Sequence, residues 1–312
     1  MEPNEREWVY WMLIAHGVSS TLRRQFRQQQ PADVGEFLRS LPEWRELEPL
    51  LTREALVLSE FLQQGGQFLT LYHSDYPERL RSTASASPPP VLYALGDISL
   101  LTKPLVAIAG SRNASQEAQE ITPTIVQPLV AQGYGIITGF ARGIDLIAGQ
   151  AALDCGGITV GVLPHGLLNS LTQRLAREWH QPLNEDRLLF LSETHPKAQW
   201  KASFAMMRNR IVAGLAEFVV IIESGARESL KNGKPVFSGT YQCAEVAHKM
   251  GRPVYVLNLP APGNQDLLRS GIAQEWHGLN PHQEADNTAE SQTPDSDEGS
   301  TPSQQLSLPL SP

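Results

Sequence analysis

Between residues 135 and 145 the chain reads GIITGFARGID, which puts Arg142 inside a glycine-bounded bend just after a β-branched run. A second bend of the same make-up, GSRN from Gly110 to Asn113, follows the apolar run PLVAIAG. A turn ordinarily carries small neutral residues, whereas a guanidinium is a planar fork suited to phosphate or carboxylate. Gly110, Gly139 and Gly239 let backbone come close to a ligand, and Ser111, Thr138, Ser238 and Thr240 add hydroxyls beside it. Helices that open at such bends present unsatisfied N–H groups and a partial positive charge, which together favour an anion. The constellation therefore predicts a phosphate-bearing ligand on the turns carrying Arg112 and Arg142. Asp145 is expected to orient Arg142 or cap its helix rather than to act in catalysis. Phe140 reads either as a stacking platform for a base or as core.

Other chemistries find less support. AIAGSRNAS lacks the G-x-G-x-x-G of dinucleotide folds, and no Walker loop is present. Cys155 and Cys243 have no C-x-x-C or Cys/His neighbour that suggests zinc. The eight histidines are scattered. Glu193 and Glu223 end strand-like runs as acid–base candidates, but no nucleophile or metal cluster accompanies them. No catalytic residue, metal or cofactor is expected, and the chain is not expected to be an enzyme.

The elements that must hold these turns are legible in the pattern. Apolar runs at PLVAIAG, YGIITG, ITVGVLP, RLLFLSE, EFVVIIES and RPVYVLNLP alternate with helical stretches such as SQEAQEITPTIVQPLVAQG and GIDLIAGQAALDCG. Near-continuous apolar strands separated by helices predict a doubly wound, mostly parallel α/β sheet of the Rossmann-like kind, with ligands at the carboxyl ends of its strands. Ahead of it, residues 1–66 read as a small helical module with apolar residues at helical spacing. Residues 67–280 are assigned to the α/β domain, which opens at FLTLYHSDYPERL and passes through SASPPPVLYALG, forced into extended chain by its prolines. Residues 281–312 are rich in Ser, Thr, Pro, Gln and acids and read as a disordered tail.

The net charge of −8 is uneven, because that tail holds six acids and neither Lys nor Arg, leaving the body near −2. A nearly neutral body neither demands nor forbids a polyanion, so local clusters must decide. The acidic, interrupted N-terminal stretch does not have the form of a secretion signal, and no run approaches the ~18 apolar residues of a membrane span. A cytoplasmic setting is expected, with no membrane partner.

Taken in order, DYPERL, PPPVLYALGD, VAIAGSR, TGFARGID, RNRIVAGLAEFVVIIES, SGT and GRPVYVLNLPAPGNQDLLRSGI resemble the DprA/Smf DNA-processing proteins over about residues 67–280. That resemblance implies an extended Rossmann-like fold that binds single-stranded DNA, protects it during DNA uptake, helps to load the RecA recombinase and is often a homodimer. It carries Gly110, Ser111 and Arg112 onto the phosphate-gripping turn of the family, and Gly139, Arg142, Gly143 and Asp145 onto the second turn. Arg208, Asn209 and Arg210 match a signature at a helix start, with DNA contact and helix packing both open for them. Ser238, Gly239 and Thr240 complete the predicted nucleic-acid site.

The chain also departs from the family pattern. VLPHGLLNSLTQRLAREWH replaces a Tyr-Pro…Glu-Asn segment, the family's C-terminal winged helix is missing, and GARESLKNGKPVF is an extra lid or hairpin bringing Arg227, Lys231 and Lys234. The N-terminal module resembles a degenerate helix-hairpin-helix or SAM-like unit. Gln305, Leu306, Leu308 and Leu310 of QLSLPL resemble the peptide that binds the bacterial sliding clamp, presented on a flexible acidic tether. The alternative reading is a nucleotide-derived small-molecule sensor or phosphoribohydrolase of the related LOG-like group. Its P-G-G-x-G-T-x-x-E signature is not matched, since Glu245 stands five residues after Thr240.

Overall fold

All six apolar runs between residues 104 and 260 form strands in a computed structural model of the chain, which describes residues 3–82, 87–231 and 233–279. In chain order the strands are β1 (Gly66–Thr70), β2 (Val91–Gly96), β3 (Leu105–Ala109), β4 (Gly135–Thr138), β5 (Thr159–Val162), β6 (Leu188–Ser192), β7 (Val219–Ile221), β8 (Glu228–Lys231), β9 (Lys234–Phe237), β10 (Val254–Val256) and β11 (Gln274–Glu275). Nine of them make one sheet in the order β1-β2-β6-β5-β4-β3-β7-β10-β11. From β6 to β11 every neighbouring pair is parallel. Only β1 with β2 and β2 with β6 run antiparallel. Val106, Ile108, Ile137, Val160, Leu189 and Val220 are fully buried, as expected for strands covered on both faces by helices.

The connections fix where a ligand can sit. From β3 the chain steps outward through β4, β5 and β6, then returns across the sheet to β7 on the other side of β3. In sheets of this kind such a reversal places ligands outside the carboxyl ends of the strands, here at the turns after β3, β4 and β7. The turn after β3 is tied to the one after β7 by the Ser111 N–H donating to the Glu223 carbonyl, at 2.8 Å.

Four main helices, Pro3–Met12, Ser20–Gln29, Val34–Ser40 and Leu50–Gln63, fill the N-terminal region. Ser19 and Asp33 cap two of them by accepting from the Leu22 and Glu36 N–H groups. Their aromatic side chains run on into the sheet: Trp8 meets Phe68 at 5.7 Å, and Phe61 meets Tyr93 at 5.5 Å. Helices and edge strands thus share one core, and residues 1–276 form a single compact unit. A second unit, 277–312, is described only at 277–279, so the tail and its Gln305, Leu306, Leu308 and Leu310 lie outside the described residues. Among the described residues no helix is long and apolar enough to cross a membrane.

The extra segment is a hairpin: β8 and β9 pair antiparallel as a sheet of their own. The antiparallel edge made by β1 and β2 was not legible in the sequence, because the GQFLT strand follows a helix with only Gln64 and Gly65 between them.

Candidate functional site

The two arginine turns interlock through glycine. Gly143 has φ +90°, a region L side chains rarely adopt, and a Cβ there would lie 2.3 Å from the Ser111 carbonyl oxygen and 2.8 Å from Arg112 Cα. Gly110 faces the reciprocal constraint, since a Cβ would strike Ile144 at 2.5 Å. Ile144 N–H then donates to the Ser111 carbonyl at 3.3 Å. With both turns pressed backbone to backbone, Arg142 Nη2 reaches across to donate to Asn113 Oδ1. Arg112, Asn113 and Arg142 are all exposed. Neither arginine makes an ion pair among the described residues.

Two neighbours that sequence reasoning missed complete this face. Arg112 lies over the ring of Trp200 at 5.9 Å, and Lys201 lies over Phe204 at 5.3 Å. Trp200 is 43% exposed, an aromatic face presented to solvent beside a guanidinium. Cations alternating with aromatic faces are what unpaired bases and their phosphates bind. Their signal was a tryptophan and a lysine in AQWKASF, outside any apolar period.

Phe140 is not a base platform. It is 5% exposed, wedged edge-on against Trp179 at 4.9 Å and Phe190 at 5.0 Å. Its φ of +51° costs a non-glycine residue about 1–3 kcal/mol. Burial of the ring and the Phe140 N–H bond to Thr138 Oγ1, 2.9 Å, hold it there. Thr138 is itself fully buried and closed to a ligand.

Arg208 and Asn209 are corrected in the same way, to an internal strut. Arg208 is 8% exposed and donates to the Gly139 carbonyl at 3.1 Å and to Asn209 Oδ1 at 2.9 Å. A Cβ on Gly139 would overlap the guanidinium, which is why the turn needs glycine. Asn209 passes the link on, donating to the Gly239 carbonyl at 2.9 Å and to Gln242 Oε1 at 2.5 Å. The pair thereby spans from the turn after β4 to the helix Gly239–Lys249. Asp145 joins this strut rather than Arg142: its carboxylate lies 3.7 Å from Arg208 and accepts from the Ala141 and Gly110 N–H groups. Burial raises the Asp145 pKa and lowers that of Arg208, each partly offset by the other's charge. Arg210, the third member, is spent on Glu193 and on the Ser87 carbonyl.

Not every helix start remains open to an anion. Ser115 caps the helix Gln116–Ala131, and the Glu223 carboxylate accepts the Ser115 N–H at 3.0 Å. Glu223 therefore takes the anion's place there. Ser238 caps the next helix through Tyr241 N–H at 3.2 Å. Gly239 beside it is exposed, with Thr240 half-buried. Glu245 is bound to Arg227 of the hairpin arm at 2.8 Å. Two grooves of 570 and 490 Å³ contain none of the residues 110–113, 139–143 or 238–240. The arginine turns thus lie outside both grooves, with Arg112 and Arg142 exposed.

A mostly parallel Rossmann-like sheet carrying exposed arginines on glycine turns at its switch point defines the class: an open, doubly wound α/β fold. The chain belongs to the DNA recombination-mediator protein A family, whose sequence profile matches residues 67–283. It is 29% identical to the DNA processing protein DprA of Bacillus subtilis, over 62% of this chain and 67% of that one. It is 32% identical to the protein Smf of Synechocystis over 71% of this chain, and spans only 50% of that relative's length. The DprA of Streptococcus pneumoniae has a solved structure of the same fold, with a TM-score of 0.67 at 22% identity, covering 89% of this chain and 96% of that one. The DNA processing protein A of Helicobacter pylori, a protein with a described single-stranded DNA binding mode, matches at TM-score 0.55 and 27% identity, over 71% of this chain and 95% of that one.

Proposed function

We propose that this protein holds single-stranded DNA on its strand-end crest and performs no chemistry on it. Arg112 and Arg142 take backbone phosphates, the Ser111 hydroxyl and Gly239 backbone line the path, and Trp200 stacks a base. The observation that carries this reading is the interlocked pair of turns, which presents two exposed arginines without carboxylate partners among the described residues. An open site suits a polymer that passes through it better than a small molecule it must enclose. The relative from Helicobacter pylori, which binds single-stranded DNA, supports the same ligand. Within this reading the protein works in the cytoplasm as a homodimer, protects incoming strands and assists RecA loading during DNA uptake or recombination. Its QLSLPL peptide tethers it to the sliding clamp. A LOG-like phosphoribohydrolase is disfavoured because Glu245 is held by Arg227.

The test is fluorescence anisotropy with labelled oligo-dT at two salt concentrations, against duplex of the same length. Binding should favour the single strand and weaken with salt, and Arg112→Ala should flatten the log–log slope by about 0.7, the share of one phosphate no longer neutralised. An unchanged slope in both Arg112→Ala and Arg142→Ala would remove these residues from the DNA path. Deleting residues 305–310 should abolish recovery of the clamp in a pull-down while leaving DNA affinity intact; equal recovery would dismiss the tether.

A further inference from the structure

The helix Ser20–Gln29, STLRRQFRQQ, carries three arginines, and no acid occurs anywhere from Gly17 to Gln30. Phe26 is its buried anchor, set edge-on against Trp11 and Phe37, each at 5.2 Å. That anchor leaves Arg24 exposed and Arg23 and Arg27 half-buried. Arg23 is used internally, donating to the Ala15 and Val18 carbonyls at 3.1 and 2.8 Å. Arg27 donates to Ser87 Oγ at 3.2 Å, and Arg210 donates to the carbonyl of the same serine. One residue thus gathers arginines from the helical module and from the helix Asn209–Leu215 that starts beside the crest.

Charge makes this gathering costly. The chain has 33 acids against 25 Lys and Arg, yet among the described residues Arg23, Arg24 and Arg27 make no ion pair, and Glu193 is paired with Arg210 alone. Burial, then the charges of Arg210, Arg23 and Arg24, press the Arg27 pKa below its ordinary value. Arginines gathered around a single carboxylate keep an excess of positive charge that an anion from outside relieves. The cluster also borders the strand-end edge of the sheet, because Glu193 directly follows β6 and Arg210 stands two residues past Arg208, which touches Gly139.

We propose that the helix Ser20–Gln29 is a second contact surface for single-stranded DNA, continuing the path from the crest, with Arg24 and Arg27 taking phosphates of the same strand. It rests on the crest being the primary DNA site, and the helix then acts only on strands long enough to reach it.

The experiment measures anisotropy of the full chain with oligo-dT of about 6 and about 25 nucleotides, one near the lower end of the roughly 4–16 nucleotides of single-strand sites and one above it. Arg24→Ala combined with Arg27→Ala should leave the short oligonucleotide unaffected. On the long one it should lower affinity several-fold and flatten the salt slope by about 1.4, two phosphates at about 0.7 each. Arg24→Ala alone, at an exposed position with no hydrogen bond among the described residues, should give about half that slope change even if the double variant folds poorly. Arg24→Lys should restore most of it. An unchanged long-oligonucleotide slope in Arg24→Ala, or an equal weakening on both lengths, overturns the proposal. Arg112→Ala must weaken both lengths; if it does and the helix variants do nothing, the helix proposal fails alone. If wild-type protein binds neither oligonucleotide, the crest reading fails and takes this one with it.

Discussion

Gly143 shows how single residues set the spacing of the charges. Its φ of +90° and its close approach to the Ser111–Arg112 backbone leave no room for a side chain. Gly143→Ala is therefore expected to destabilise the protein by about 1–3 kcal/mol from backbone conformation alone, read as a drop in the urea midpoint. Binding to oligo-dT should weaken even under conditions where the variant is folded, because the turns bearing Arg112 and Arg142 must part. A variant with wild-type midpoint and affinity would show that the turns are not held together at this glycine. The arginines were legible as cations on turns, but their partners were not. Arg208 and Arg142 look alike in sequence; one is buried on Gly139 and Asp145, the other exposed beside Asn113.

Among the elements, the β8–β9 hairpin is attached rather than packed. Leu230, Val236 and Phe237 are 76%, 43% and 59% exposed. Its arm is tied to the helix Gly239–Lys249 by Arg227 with Glu245, a pair whose arginine is 66% exposed. Such a rim pair contributes about 0–1 kcal/mol. Replacing residues 229–236 with a short Gly-Ser link should move the urea midpoint by no more than that contribution. A loss above about 2 kcal/mol would mean that the hairpin is part of the core. Its strands were not distinguishable from a lid in the sequence, since GARESLKNGKPVF has too few apolar residues to fix a period. The central strands were, because a strand buried on both faces must be apolar throughout.

At the scale of the whole molecule, the helical region and the sheet are joined by a titratable seam. His16 bonds Tyr93 OH at 3.0 Å and lies edge-on to His195 at 5.5 Å, while His195 Nε2 meets Glu54 at 2.8 Å. Burial, and then the charge of His195, bring the His16 pKa down from 6.5 to about 3. A base whose folded pKa is depressed gives stability that is full above its unfolded value and lost as pH falls toward the folded one. His16→Gln should thus flatten the urea midpoint against pH between about 6.5 and 3. One titrating group sets the ceiling, so the change should stay below the one-proton limit of about 1.4 kcal/mol per pH unit. Asp145 and Glu193, raised by burial, act in the opposite sense: their contribution is present below the unfolded value and lost as pH rises through the folded one. An unaltered pH profile in His16→Gln would remove this seam from acid sensitivity.

Composition and periodicity alone determined the parallel sheet, the N-terminal helices and the two glycine turns with their arginines, because these are local consequences of which residues can be buried and which backbones can bend. Tertiary structure alone decided which charges are spent inside. Arg208, Asn209 and Asp145 became a strut, Phe140 became core, and Trp200 came to lie beneath Arg112. The reason is physical: a guanidinium has the same fork wherever it stands, and only the groups brought within about 3 Å of it by distant parts of the chain settle whether it is satisfied internally or left for a ligand.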